Sequence, residues 1–145
     1  MRLFTIGFTK SSAEHFFTRL RRARVRRVVD VRLHNVSQLA GFAKRDDLQY
    51  FLKAIGEMDY EHRLELAPTE DLLAAYKGTR GRAWTTYAAG FVSLLAGRKV
   101  ERTVPPDALD GACLLCSEAD PHHCHRRLVA EYLREKWHDV EIVHL

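Results

Sequence analysis

The stretch Ala112–Trp137, ACLLCSEADPHHCHRRLVAEYLREKW, decides the fold, because it holds all three cysteines of the chain and three of its eight histidines. Cys113 and Cys116 form a C-x-x-C, and Cys124 and His125 follow as an adjacent pair. In zinc ribbons and fingers the C-x-x-C sits on a turn and is answered by a second pair at finger-like spacing. Here the residues between the cysteines are two leucines, and no turn former is present. Ala112–Ser117 reads instead as a buried strand, on which residues three apart point to opposite faces. Cys113 and Cys116 therefore do not grip one ion together while that strand persists. Asp120 and Pro121 supply an N-cap and a first helical position, so a long helix is expected over Pro121–Trp137. Cys124, Leu128 and Tyr132 share one stripe of that helix at spacings of four, and His125, Val129 and Leu133 share the next. The stretch is thus strand, loop and helix, with Cys124 and His125 on the apolar side near the helix start.

The same alternation extends in both directions. Leu3–Phe8, Val25–Arg32, Tyr60–Arg63 and Val140–His144 read as further strands. Ser11 and Ser12 offer N-caps to a helix carrying Phe16, Phe17 and Leu20, with Glu14 as a capping-box partner for Ser11. A helix from about Asp46 carries Leu48, Phe51, Leu52 and Ile55 at spacings of three and four. Pro68 and Thr69 open another, Trp84–Leu95 reads as a fourth, and VPPDALDG (104–111) is the clearest break. Strands alternating with helices, without hairpin signals, predict an α/β fold: a mostly parallel sheet of about five strands with helices on both faces. At 145 residues the chain is expected to be a single domain, residues 1–145, with one core.

Composition narrows the class. Apolar residues make up 46% and charged residues 29%, which is the balance of a globular chain. The longest nearly apolar run, Ala88–Gly97, falls well short of the roughly 18 residues a membrane span needs. The opening MRLFTIGF lacks signal-peptide architecture. Three cysteines, an odd number, argue against a disulfide framework, so a cytoplasmic location and free thiols are expected, with no membrane partner. The net charge is +4, but RLRRARVRR (19–27) packs six arginines into nine positions. That run reads either as a solvated helix end, where cations are well placed, or as a phosphate-contacting patch. No aromatic residue interleaves with it, so a single-strand stacking platform is not indicated.

In open α/β sheets ligands sit outside the carboxyl ends of the strands. Gly7, Thr9 and Lys10 follow the first strand. Asp30, Arg32, Asn35, Ser37 and Gln38 close or follow the second, in a long loop that also carries Phe42. Cys116 and Glu118 share a strand face at the end of the 112–117 strand, and Cys124, His125 and Arg126 follow. A helix N-terminus attracts anions and lowers a thiol pKa. Arg32 and Arg126 are the expected anion holders. Asp30 or Glu118 is the expected acid or base, with His125 as a second proton carrier and Cys116 or Cys124 as a nucleophile.

The segments TIGFTKSSAEHFF (5–17), VVDVRLHNVSQLAGFAKRDDL (28–48), LAPTEDLLAAYK (66–77) and CLLCSEADPHHCHRRLVAEYL (113–133) together resemble the family called domain of unknown function 488, in its short single-domain form. The resemblance implies that Gly7, Asp30, Arg32, Ser37, Phe42, Cys116, Glu118, Cys124, His125 and Arg126 are signature positions. Many members carry histidine and serine where this chain has Phe8 and Thr9, and a proline where it has Val36. The family's reaction is unassigned, so the resemblance marks positions and names no chemistry.

The expected function is an enzyme acting on a phosphorylated small molecule, nucleotide or nucleic-acid fragment, with no cofactor and no structural metal. Two alternatives stand beside it. One is a nucleic-acid-binding module using the 19–27 run. The other is a thiol redox or metal-binding protein using Cys116, Cys124 and His125.

Overall fold

The computed structural model describes residues 1–36 and 40–145; Ser37 and Gln38, both expected at the site, lie outside the described residues. Five strands form one sheet: β1 (Arg2–Gly7), β2 (Arg27–Asp30), β3 (Asp59–His62), β4 (Ala112–Cys116) and β5 (Glu141–His144), in the order β3-β2-β4-β1-β5 with every pairing parallel. The helices are α1 (Ala13–Arg22), α2 (Arg45–Gly56), α3 (Glu70–Gly78), α4 (Trp84–Arg98), α5 (Val100–Thr103), α6 (Pro106–Leu109) and α7 (His125–Trp137). The α/β reading of the sequence thus holds, with strand limits displaced by a few residues at most.

Period-two alternation sorts the strand residues onto two cores, one on each face of the sheet, where one core was expected. Phe4, Ile6, Val28, Cys113 and Leu115 pack with Phe16, Phe17 and Leu20 of α1 and Leu48 and Leu52 of α2. Leu3, Val29, Leu114 and Cys116 point the other way, onto Phe91 and Leu95 of α4 and Val129 and Leu133 of α7. Cys113 and Cys116 therefore do lie on opposite faces of β4.

Right-handed crossovers explain this distribution. The chain moves in one direction from β1 through β2 to β3, which puts α1 and α2 on one face. It then reverses through β4 to β5, which puts α4 and α7 on the other. β4 is flanked by β1 and β2, whose following connections leave to the face opposite its own. Its carboxyl end is thus a topological switch point, where such folds open a crevice. Gly7 pairs with Cys116 and Asp30 with Leu115, so three strand ends meet there in line.

Two local expectations need correction. Of the two serines expected as caps of α1, Ser12 is the cap, its hydroxyl accepting from the His15 N–H at 3.1 Å, whereas Ser11, expected in a capping box with Glu14, turns its hydroxyl to the Ser12 carbonyl. More consequentially, Pro121–Trp137 is not one helix. Asp120 caps only a single 3₁₀ turn, Pro121–His123, accepting from the His122 N–H at 2.9 Å. Cys124 is then extended, with φ −134° and ψ 137°, and α7 begins at His125. Cys124 is a cap-position residue rather than a member of the helical stripe.

Candidate functional site

The loops after β1 and β4 are bound to each other at the switch point. The Ser117 carbonyl accepts from the N–H groups of Phe8 and Thr9 at 3.2 and 3.0 Å and from the Thr9 hydroxyl at 2.7 Å. Behind them lies Arg126, a helical residue with no exposed surface. Its guanidinium donates to the carbonyls of Glu118 and Ala119 and, through Nε, to the Thr5 hydroxyl at 3.2 Å. Gly7 lies directly under that loop, where a Cβ would overlap the Glu118 carbonyl. Gly7, Thr9 and Arg126 thus hold the β4–α7 loop across the end of β1.

Asp30 and Arg32 form a second buried unit. Arg32 donates Nε and Nη2 to the two Asp30 oxygens, both at 2.8 Å. Its own N–H reaches Oδ1 at 3.1 Å, while the Tyr60 hydroxyl and the Asn35 amide reach Oδ2 at 2.6 and 3.3 Å. Burial alone would raise the Asp30 pKa, but the Arg32 fork and the Tyr60 and backbone hydrogen bonds outweigh it and hold the carboxyl below its ordinary value. Asp30 is therefore a saturated anchor for Arg32. The remaining Arg32 nitrogen, Nη1, is buried and has no hydrogen-bond partner among the described residues. A buried unpartnered donor on a charged group is costly.

Arg32 borders a cavity of about 240 Å³ at the switch point. Cys116, Cys124 and His125 line it on the sheet side, and Tyr76, Trp84 and Tyr87 line it from α3 and α4. Lys77, Glu118 and the His34 and His123 rings stand at its edge. Trp84 stacks on His123 with centroids 5.1 Å apart, Tyr76 on Tyr87 at 4.6 Å, and Phe91 meets His125 edge-on at 5.4 Å. The wall is therefore aromatic, its rings in contact with one another.

The extended backbone at Cys124 swings its side chain toward Cys116, and the ligand atoms of Cys116, Cys124 and His125 all lie within 4.8 Å of one another. His125 Nε2 is 2.6 Å from the Val31 carbonyl, which only accepts, so Nε2 carries the proton. Nδ1 then presents its lone pair 3.4 Å from Cys116 Sγ. Burial pushes the Cys116 thiol up, but the Cys124 hydrogen bond, the Arg126 charge and the Ser117 and Glu118 N–H groups together bring it below its ordinary value. Burial and the neighbouring Cys116 push Cys124 well above its own. Burial likewise pushes Cys113 up, on the far face of the sheet.

Of the signature positions, Gly7, Asp30, Arg32, Cys116, Glu118, Cys124, His125 and Arg126 meet around the carboxyl ends of β1, β2 and β4. The family model described as Domain of unknown function DUF488 matches residues 12–133. This chain belongs to the DUF488 family. No curated protein and no solved structure matches it. The part of this DUF488 chain that the family model covers runs from the cap of α1 into α7, and so takes in the β2 and β4 ends and the aromatic wall.

Of the other expected residues, Asn35 supports Asp30 and Lys10 is exposed. Phe42 packs against Phe8, Phe16 and Phe17 on the opposite face of the sheet. The α3–α4 wall was not anticipated. Its signal was Trp84 and Tyr87, which run on at spacings of three and four into the buried Phe91 and so also describe an ordinary core stripe.

Proposed function

We propose that this DUF488 protein is an enzyme acting on a small phosphorylated or otherwise anionic molecule, such as a nucleotide fragment, bound in the switch-point cavity. The observation that carries this reading is Arg32, which borders the cavity and whose Nη1 is a buried cationic donor without a hydrogen-bond partner among the described residues. Asp30 fixes the guanidinium by two of its nitrogens, so the third is held in place for an oxyanion at no further ordering cost. The aromatic wall suits a flat or apolar ligand body. Cys116, Cys124 and His125 form the reactive floor beneath it, and Glu118 stands at the edge as the candidate proton carrier.

The 19–27 run offers less than its composition suggests. Arg19 donates to the Leu145 and Gly7 carbonyls, Arg26 to those of Asp107 and Asp110, and Arg27 reaches the Ala108 carbonyl at 3.5 Å. Arg21, Arg22 and Arg24 remain exposed.

Thermal shift with inorganic phosphate, nucleoside phosphates and sugar phosphates tests the proposal. Stabilisation by a phosphate-bearing compound that its dephosphorylated form does not give is expected. A panel that moves the melting point nowhere contradicts it.

A further inference from the structure

The floor of the cavity carries a chemical identity of its own. Two sulfurs and one imidazole nitrogen converge there from the end of β4 and the head of α7, and all three side chains are buried. We propose that Cys116 Sγ, Cys124 Sγ and His125 Nδ1 bind one zinc-class divalent ion, whose fourth coordination position opens onto the cavity. The proposal deepens the functional reading above by naming what the trio holds, and rests on that reading only for what fills the open position.

Four observations support it. First, two thiols and an imidazole are the donor set that selects borderline-soft ions of the zinc class over magnesium or calcium. Second, the spacing fits. Tetrahedral zinc, with bonds of about 2.3 Å to sulfur and about 2.0 Å to nitrogen, sets its donors roughly 3.5 to 3.8 Å apart. The Cys116–His125 separation is 3.4 Å and every donor pair is within 4.8 Å, so small rotamer shifts close the site. Third, His125 is already oriented as a ligand. Its Nε2–H is held by the Val31 carbonyl at 2.6 Å, the outer contact that fixes tautomer and ring plane in metal-bound histidines. Fourth, Cys116, Cys124 and His125 all line the cavity, and the described residues add no fourth donor to the cluster. Three protein ligands and an open position are the arrangement of catalytic rather than structural zinc.

Charge and protons balance. On binding, the two thiols release their protons to solvent, two metal–sulfur bonds and one metal–nitrogen bond form, and the two thiolates cancel the ion's two charges. Water or a ligand oxygen takes the fourth place. Cys113, on the other face of the sheet, takes no part.

The test is a titration of reduced, chelator-treated wild-type protein with Co²⁺ and then Zn²⁺, read by absorption and by metal bound per chain after gel filtration. One ion per chain is expected, with tetrahedral d–d bands and thiolate-to-cobalt charge transfer that Zn²⁺ bleaches. Cys116→Ser and Cys124→Ser should each lose about half of the charge-transfer intensity, one of two thiolates being gone, while Cys113→Ser keeps all of it. Should a serine variant fail to fold, the wild-type spectrum decides alone. Folded, reduced wild-type protein that takes up neither ion, or binds without charge transfer, overturns the proposal. Inorganic phosphate added to the stripped and the zinc-loaded protein separates the two readings. Phosphate binding without metal uptake overturns the metal site and leaves the anion pocket standing. Metal uptake with no phosphate response supports the metal site and counts against the pocket.

Discussion

At the residue scale, the site is built from two arginines that look alike in sequence and do different work. Arg126 uses its donors on two loop carbonyls and Thr5, whereas Arg32, which borders the cavity, has one nitrogen with no hydrogen-bond partner among the described residues. What separates them is Asp30, so Asp30→Asn should leave a buried guanidinium without its counter-ion. A loss of about 3–5 kcal/mol is expected from chemical denaturation, the usual cost of breaking a buried pair. The pH dependence follows from the direction of the shift. A carboxyl whose folded pKa is depressed contributes stability that is complete above the unfolded value of about 3.9. That contribution is lost as pH falls through the lower folded value. Wild type should therefore lose stability steeply below about pH 4, and Asp30→Asn should show a shallower acid limb. Gly7→Ala is a second test. The added methyl overlaps backbone rather than a flexible side chain, so a loss of about 1–3 kcal/mol or more is expected. Ligand response should weaken with it, because the displaced loop carries Ser117 and Glu118.

At the scale of elements, the sequence was readable wherever one period ruled. β4 was recognisable from its uninterrupted apolar run and α2 from Leu48, Leu52 and their neighbours. The opposite facing of Cys113 and Cys116 followed from strand geometry alone. The break at Cys124 was not readable, because Asp120 and Pro121 signal a helix start equally well for one 3₁₀ turn as for a long helix. That one extended residue brings Cys124 to Cys116, a meeting no spacing rule predicts. The cavity wall stayed hidden for another reason: Trp84, Tyr87 and Phe91 fit an ordinary buried helix face. They also differ in task. Phe91 is fully buried, so Phe91→Ala should cost about 3–5 kcal/mol and loosen His125. Trp84 is only half-buried. Trp84→Ala should leave the melting point closer to wild type while weakening ligand binding, a split visible by thermal shift with and without ligand.

At the scale of the whole molecule, the reversal of strand order at β4 gives both the two cores and the crevice at the carboxyl end of that strand. The two faces share every strand of one sheet, so neither has a core that stands without the other. Denaturation should accordingly show one transition, coincident by far-ultraviolet circular dichroism and tryptophan fluorescence; two separated transitions would argue for independent units. No helix among the described residues is long and apolar enough to cross a membrane. The charge excess of the chain sits partly in Arg21, Arg22 and Arg24, far from the chemistry of the cavity, and this separation allows the pocket and the basic run to be compared in one experiment. That experiment is calorimetric titration of the best phosphate-bearing compound into wild type, Arg32→Lys and the triple variant Arg21→Gln, Arg22→Gln, Arg24→Gln. Lysine keeps a charge for Asp30 but removes the fork. The account predicts a loss of affinity of about tenfold or more in Arg32→Lys, roughly 1.4 kcal/mol, with the triple variant binding as wild type. Unchanged binding in Arg32→Lys, with affinity lost in the triple variant, would contradict it.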